Sequence, residues 1–588
     1  MKFRYDDDKK ALVITQAEQL EYNQVKIWLE RFVKGYKFMP AFKRGVWNGK
    51  IDKFNNGTIN MGVWKECLKA CYEIGAPFII ENKNEFPINR DITLEKVKDF
   101  CHTFFKDHKV KDKDGNMVQF MPYDYQIDTA FKILKNRYCI GEVATSGGKS
   151  LILSIVFFYI LSQIDSDAKL LLIVPSITLV TQFYDNLMEY NLGFFEENPN
   201  PLDLRIEEIM SDRPRKYSGG GKDPNIFIAC YQSLAKENKD VKEKGRRSDE
   251  QLDEREIARQ KYLKAMEAAE QGKGKKGKDN LTRPDSWFEQ FHTIAVDEAH
   301  SCKSKSLITV CEKTFPSAYY RFGVSGTFPH EDSAESMSIQ SILGPKVAAV
   351  EAKLLQDKGK IAKVSIKGIH LNHDDSDFDL MLKTIRKNPD RGREAFELEK
   401  KYIHRSEKRI QFIEKLVDKC GKNTLILFNQ IDYGTKILET LKKTFEGEKE
   451  FFYIDGSVSG KKRDEIKKEM EITGDVPRIL VASYGTLSTG VSITNIHNII
   501  FAESFKSETR IIQSIGRGLR LHDEKDKAVI FDIVDVFTET GQNAFYRHFK
   551  ERCTLYNKYK YPFKIMKYYI GDRKSTRLNS SHQIISYA

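Results

Sequence analysis

Two short stretches carry the residue types that phosphate chemistry needs. In Ala144-Thr145-Ser146-Gly147-Gly148-Lys149-Ser150, a glycine-bearing turn leads into Lys-Ser between two apolar runs, Tyr138 to Ala144 and Leu151 to Ile164. Strand, turn, Lys-Ser and helix in that order make a phosphate-binding loop. Small residues let backbone N–H groups close around a β-phosphate, and the helix N-terminus adds its dipole. Lys149 would reach the β- and γ-oxygens of a nucleoside triphosphate, and Ser150 would ligate Mg²⁺. The strict G-x-x-x-x-G-K-[ST] pattern would put its first glycine at Val143, so an ordinary Gly-Gly-Lys-Ser turn is the alternative for this stretch on its own.

The second stretch runs from Phe291 to His300, an apolar strand that ends in two adjacent acids. Asp297 would hold Mg²⁺ through its water shell, and Glu298 would orient an attacking water as general base. Adjacent carboxylates are common, but a strand-terminal pair downstream of a phosphate loop is much rarer. His300 reads as a ligand, as a core histidine or, better, as a link to the turn Ser325-Gly326-Thr327, which closes the strand Tyr320 to Val324. Upstream, Tyr125-Gln126 lies in a helix that opens at Tyr123 and runs to about Leu134. The Gln126 amide both donates and accepts, so it could read the edge of an adenine.

These residues need a frame to position them. At 588 residues the chain is too long for one core, and about three or four domains are expected. A hydrophobic content of 40% with 31% charged residues suits a globular protein. The net charge of +12 permits a polyanionic partner without demanding one. Nine scattered cysteines read as reduced, buried thiols and point to a cytoplasmic setting, since Cys67 and Cys71 have no second pair nearby to complete a zinc site. No signal peptide opens the chain. The longest apolar run, residues 151–164, is too short to span a bilayer, so no membrane association is expected.

Residues 1–110 read as a mixed α+β unit without catalytic pattern. Gln16 to Tyr36 suggests an amphipathic helix, with apolar Leu20, Val25, Trp28, Leu29 and Phe32, and Met61 to Tyr72 suggests another. Between them, Tyr36 to Ile51 alternates aromatic and basic residues. That suits a nucleic-acid contact, with Lys43, Arg44 and Lys50 on phosphates and Trp47 as a stacking platform. An ordinary β-hairpin with core aromatics and solvated lysines fits equally well. A turn-rich hinge, Lys111 to Asn116, marks a boundary. The continuous apolar strands Lys169 to Pro175 and Asn225 to Leu234 fit a parallel sheet buried on both faces, whose polar carboxyl-end turns are where such sheets bind ligands. Residues 236–282 change composition to Lys, Glu, Asp, Gly and Gln and read as a charged insertion, solvated rather than DNA-binding.

Taken together, Ala144–Ser150, Asp297–His300 and Ser325–Thr327 resemble motifs I, II and III of the superfamily 2 helicases. Tyr125-Gln126 resembles the Q motif, while Pro175-Ser176 and Tyr231-Gln232-Ser233-Leu234 resemble the motifs that contact a single strand. In the second half Asn423–Phe428 resembles the strand of motif IV. Ile479 to Ser483 leads to Ser488-Thr489-Gly490-Val491, which resembles motif V. Gln513-Ser-Ile-Gly-Arg517-Gly-Leu-Arg520 resembles motif VI and is the most specific signal in the chain. Two arginines a helical turn apart, projected from a second domain, would act as arginine fingers when the domains close. Two departures stand out: Ser146 occupies a position that is often glycine, and Ser492 one that is often acidic.

The resemblance implies α/β architecture, with two tandem RecA-like parallel-sheet domains at 111–345 and 346–570 behind the small α+β N-terminal domain. It implies ATP and Mg²⁺ as cofactors. It adds Gln513 to the catalytic set of Lys149, Asp297, Glu298, Arg517 and Arg520, and Gly490 to the nucleotide site. Single-strand contacts fall on Pro175, Ser176, Gln232, Ser233 and Ser483. The narrower likeness, to phage branched-DNA helicases, implies a monomer acting on single-stranded or branched DNA beside single-strand-binding or recombination proteins, in host cytoplasm if phage-encoded. RNA stays open as a substrate, because these motifs grip the phosphate backbone. A nuclease motor is disfavoured, since Pro284-Asp285 lacks the Glu-x-Lys that would follow it; a remodeller that does not separate strands is not distinguished. Residues 571–588 read as translated adaptor sequence or a disordered native tail, with an aromatic-basic helix, Phe545 to Tyr569, just before them.

Overall fold

Uninterrupted apolar runs decide the layout. Leu170–Val174, Ile226–Cys230 and Thr424–Phe428 are buried at every position, as strands flanked on both faces must be. The computed structural model describes residues 1–111, 115–195, 198–210, 216–217, 222–234, 285–314, 317–388, 391–487, 493–505, 507–522, 525, 527–537 and 543–570. The expected insertion at 236–282, Gly490 and the tail at 571–588 lie outside the described residues.

One sheet orders its strands Lys216–Tyr217, Ile206–Ile209, Ile226–Cys230, Leu170–Val174, Thr293–Asp297, Tyr320–Ser325, Tyr138–Val143 and Lys346–Val350. Every pairing is parallel except that of Lys216–Tyr217. The second sheet is parallel throughout, in the order Glu450–Ile454, Arg478–Ser483, Thr424–Phe428, Asn498–Phe501, Lys527–Val536, Lys363–His373 and Phe563–Ile570. These are two RecA-like sheets in tandem, with the phosphate-loop strand and the acid-bearing strand both beside Tyr320–Ser325 in the first. Buried pairs Arg409–Asp535 and Arg552–Asp532, each 2.8 Å, tie helices to the second sheet.

Several expected boundaries move. The strand Lys346–Val350 pairs with Tyr138–Val143, so the first sheet extends beyond 345. Helix Leu94–Phe104 buries Val97, Phe100 and Cys101 in the core shared with Asp124–Asn136, so the N-terminal unit ends before it rather than at 110. What remains of that unit is a five-stranded sheet whose core of Phe3, Leu12, Val25, Ile59 and Cys67 runs on into Tyr138 and Met337 of the first large unit. Its first helix stops at Trp28 instead of Tyr36, because Glu30–Phe32 pairs antiparallel with Lys50–Asp52. Leu20 and Phe32, expected on a buried face, are mostly exposed. Between those paired strands lie a single turn, Tyr36–Phe38, and a short helix, Pro40–Lys43. The expected helix Phe545–Tyr569 is half helix, Ala544–Lys558, and half strand, Phe563–Ile570, divided at Pro562, which offers no N–H to continue the helix. All nine cysteines are free and all but Cys553 are buried. Among the described residues no helix is long and apolar enough to cross a membrane.

Candidate active site

The phosphate loop leaves Tyr138–Val143 and enters helix Lys149–Tyr159, whose apolar residues are buried along its whole length. Gly148 takes the left-handed conformation, at φ +76°. A Cβ there would lie 2.2 Å from the Gln126 amide nitrogen, so only glycine fits. Ser146 is also left-handed, at φ +67°, which explains why glycine is favoured at its position. Its hydroxyl donates to the Gly516 carbonyl at 3.1 Å, a bond from the first sheet's loop to the second sheet's helix.

Gln126, expected to read an adenine edge, lies beneath the loop and is not among the residues lining the cleft. It is 4% exposed; its Oε1 accepts from the Tyr123 N–H at 2.8 Å, and its Nε2 donates to the Gly147 carbonyl at 3.4 Å. The Tyr125 hydroxyl donates to the same carbonyl at 3.0 Å. Sequence spacing placed Gln126 near the loop; the helix phase turned it underneath.

The acids close the strand Thr293–Asp297. Lys149 Nζ lies 3.1 Å from Glu298 Oε1. On the other oxygen, Ser325 Oγ is 3.2 Å and His300 Nδ1 3.2 Å away, and His300 Nδ1 meets Ser325 Oγ at 2.8 Å. The single Ser325 hydroxyl proton can go either to Glu298 or to the Thr327 carbonyl, 3.0 Å away. Burial alone would raise the Glu298 carboxyl, but Lys149 and His300 outweigh it and hold it well below the usual range. Asp297 goes the other way: burial, then the Glu298 charge, push it up to about 7. Burial tends to lower the Lys149 ammonium, yet Glu298 and Asp297 raise it. Asp297 Oδ1 is buried without a hydrogen-bond partner, which suits a hard cation, with Ser150 lining the same cleft. Among the described residues no cluster of three or more His, Cys, Asp or Glu could hold a metal alone, so phosphate oxygens would have to complete the shell.

The facing wall is helix Glu508–Gly518, capped by Ser507, whose hydroxyl accepts from the Arg510 N–H at 3.4 Å. It brings Gln513 and Arg517 to the cleft, with Arg520 just past its end. Burial, then the neighbouring Arg520, lower Arg517 to about 9; burial lowers Arg520 to about 10. Arg520 Nη1 is buried without a hydrogen bond. One cleft of about 440 Å³ is thus lined by Thr145, Ser146, Gly148, Lys149, Ser150, Asp297 and Glu298 from one sheet and by Gln513, Arg517 and Arg520 from the other. The lining also includes Gln182, Phe183, Asn186, Lys360 and Thr494, which sequence reasoning did not place there. Of these, only Gln182 and Asn186, one turn apart on helix Ile177–Leu192, carried a signal that could have been read.

Other expected contacts are dispersed. Gln232 Nε2 donates to the Pro175 carbonyl at 3.5 Å, which brings the two strand ends together beside Ser176 and Ser233. Ser483 ends its strand with its hydroxyl donating to Thr486 Oγ1 at 2.8 Å. In the N-terminal unit Lys43 and Arg44 are exposed. Trp47 is pinned, its indole N–H donating to the Lys50 carbonyl at 2.7 Å, and Lys50 pairs with Glu30 at 2.8 Å.

Comparison with known proteins gives matches over most of the chain. The family described as Type III restriction enzyme, res subunit, matches residues 119–330, and that described as Helicase conserved C-terminal domain matches residues 408–522. The ATP-dependent DNA helicase uvsW of Enterobacteria phage T4 is 26% identical over 525 residues, 88% of this chain and 88% of its own. The crystal structure of T4 UvsW aligns over 97% of this chain and 99% of its own at 20% identity, with a TM-score of 0.41. The ATP-dependent Type ISP restriction-modification enzyme LlaBIII, bound to DNA, aligns over 78% of this chain and 32% of its own at 14% identity, with a TM-score of 0.50. The chain resembles the superfamily 2 helicases, and UvsW among them.

Proposed function

We propose that this superfamily 2 ATP-dependent helicase acts on branched DNA, driven by ATP hydrolysis between its two sheets. One observation supports this most: Lys149 and both acids line one wall of a single cleft whose other wall carries Arg517 and Arg520. In this reading Lys149 leaves Glu298 for the β- and γ-phosphate oxygens. Glu298, still held by Ser325 and His300, is then free to orient the attacking water. Asp297 and Ser150 would hold Mg²⁺, which supplies charge neutralisation between the phosphates when bound. Arg517 and Arg520, crowded and buried, would meet the charge that develops on the γ-phosphoryl group. Gln513 lines the same wall one turn before Arg517. Because Glu298 touches both Lys149 and Ser325, loss of the γ-phosphate would reach Thr327 by shifting the single Ser325 proton between Glu298 and the Thr327 carbonyl.

Branched DNA as substrate rests on the likeness to UvsW and on exposed Lys43 and Arg44. Pro175, Ser176, Gln232, Ser233 and Ser483, at strand carboxyl ends, are assigned the single-strand path. The deciding experiment is ATP-dependent displacement on a forked DNA duplex beside the same fork in RNA. Displacement of the DNA strand is expected. ATP hydrolysis without displacement would make the protein a remodeller, and displacement of RNA alone would make it an RNA helicase.

A further inference from the structure

We infer that Glu471, which lies outside every stretch that resembles a helicase motif, is a positioning residue for Arg520 in ATP hydrolysis. The inference rests on the ATPase reading above and deepens it at one wall of the cleft.

Glu471 is the last residue of helix Gly460–Glu471, which buries Ile466 and Met470. An acid is out of place there, because the carboxyl end of a helix carries partial negative charge and favours cations. Such a departure from a local rule points to another task for the side chain. What the carboxylate holds shows that task. Its Oε1 accepts from the Thr494 N–H at 2.6 Å. Its Oε2 accepts from the Thr494 hydroxyl at 2.6 Å and from the Asn495 N–H at 3.2 Å. From the other side, Lys525 Nζ donates to the Thr494 carbonyl at 2.6 Å and to the Ile496 carbonyl at 3.1 Å. Every polar group of Thr494 is thus held between a carboxylate and an ammonium, and Thr494 lines the nucleotide cleft.

The same two residues bracket Arg520. Lys525 closes the turn that follows the arginine, its N–H donating to the His522 carbonyl at 2.9 Å. Arg520 itself stands past the end of helix Glu508–Gly518, so the helix does not fix its side chain. Burial lowers the Arg520 guanidinium to about 10, and the Glu471 carboxylate is the charge that opposes this. Burial, then Arg520, lower the Lys525 ammonium to about 8, again against Glu471. Arg517 and Arg520 are both buried and repel each other, and Glu471 supplies negative charge on their own wall. Arg520 Nη1, buried without a hydrogen-bond partner among the described residues, is left for a phosphate oxygen. Glu471 therefore acts through others: it fixes the Thr494 turn, and its charge steadies the arginine.

The test is Glu471→Gln, which keeps the side-chain length and one acceptor but removes the charge. Two affinities are measured on the full chain with Mg²⁺ and forked DNA: for ADP alone, and for ADP with aluminium fluoride, which mimics the transferring phosphoryl group. An arginine that acts on the transition state strengthens only the second. Glu471→Gln should weaken binding with aluminium fluoride about tenfold and lower kcat by a similar factor, while ADP affinity stays within about twofold. In an Arg520→Ala background the same substitution should add less than about twofold. Equal weakening of both ligands would make Glu471 a brace for the turn alone, and a full tenfold loss on top of Arg520→Ala would make it act elsewhere; either overturns the inference. So does a variant that matches the parent. Glu471→Asp, which withdraws the carboxylate by one methylene, is read by the same criteria should Glu471→Gln fail to fold. A parent chain that hydrolyses no ATP and gains no affinity from aluminium fluoride would remove the ATPase reading, and this inference with it.

Discussion

Gly516 is where the two walls meet, and a single methyl group there tests whether the closed cleft is the working one. A Cβ on Gly516 would lie 2.2 Å from Thr145 Cγ2 and 2.4 Å from Thr145 Cβ. Carbon atoms in contact sit about 3.5–4.0 Å apart, so Gly516→Ala forces the walls apart by at least about 1 Å. The Ser146 bond to the Gly516 carbonyl would stretch with them. Arg517, the next residue, moves by the same amount, and a misplacement of about 1 Å costs roughly 10²-fold in rate, or about 2.7 kcal/mol. The fold itself should not suffer, because Gly516 is inside a helix and alanine there is better than glycine by about 0.5–1 kcal/mol. Nucleotide affinity should change little, since the loop and Lys149 belong to the other wall. The assay is kcat for ATP on forked DNA, beside binding of a fluorescent ATP analogue and the melting temperature. A kcat within about threefold of the parent, with the fold intact, would refute the reasoning: the contact between Thr145 and Gly516 would then lie off the catalytic cycle.

Lys149→Ala should abolish hydrolysis and Glu298→Gln should bind ATP with turnover reduced about 10³-fold or more; normal turnover by Glu298→Gln would remove that carboxylate from the chemistry. Asp297, with its carboxyl raised to about 7, must lose a proton to hold a cation, so affinity for Mg²⁺-nucleotide should fall by up to about tenfold per pH unit below that value. The same raised value means its stabilising contribution is present at low pH and is lost as pH rises through about 7; without Mg²⁺ at pH 8, Asp297→Asn should therefore melt above the parent, and a lower melting temperature contradicts the assignment. Arg552→Met leaves Asp532 buried without its guanidinium and beside the Tyr556 hydroxyl at 2.8 Å, which should cost about 3–5 kcal/mol in chemical denaturation; a loss under about 1 kcal/mol counts against a tightly held pair. Replacing Lys43 and Arg44 with Ala should weaken fork binding and flatten its salt dependence by about 0.9 for each phosphate that is no longer neutralised, and an unchanged slope would make that segment scaffold.

The phosphate loop, the strand-terminal acids and the arginine pair were legible because each is a short pattern on one element. A lysine at a helix start, acids at a strand end and arginines a turn apart have chemistry fixed by type and spacing. The continuous apolar strands likewise announced parallel sheets, since burial on both faces leaves no alternation. Tertiary structure alone decided what each pattern meets. Spacing put Gln126 beside the loop, but the packing of its helix turned the amide under Gly147. The alternation from Tyr36 to Ile51 suggested contacts, but pairing of Glu30–Phe32 with Lys50–Asp52 tied down Trp47 and Lys50 and left Lys43 and Arg44 outside. Helix Leu94–Phe104 has an apolar face that could serve either neighbouring core, and only its packing on Asp124–Asn136 assigns it to the first sheet. The last aromatic run could not be divided into helix and strand until Lys363–His373 offered a free edge for Phe563–Ile570. A local pattern states that a face will be buried; its partner, distant in sequence, is chosen by long-range packing, and the bond from Ser146 to Gly516 was invisible until the two sheets stood face to face.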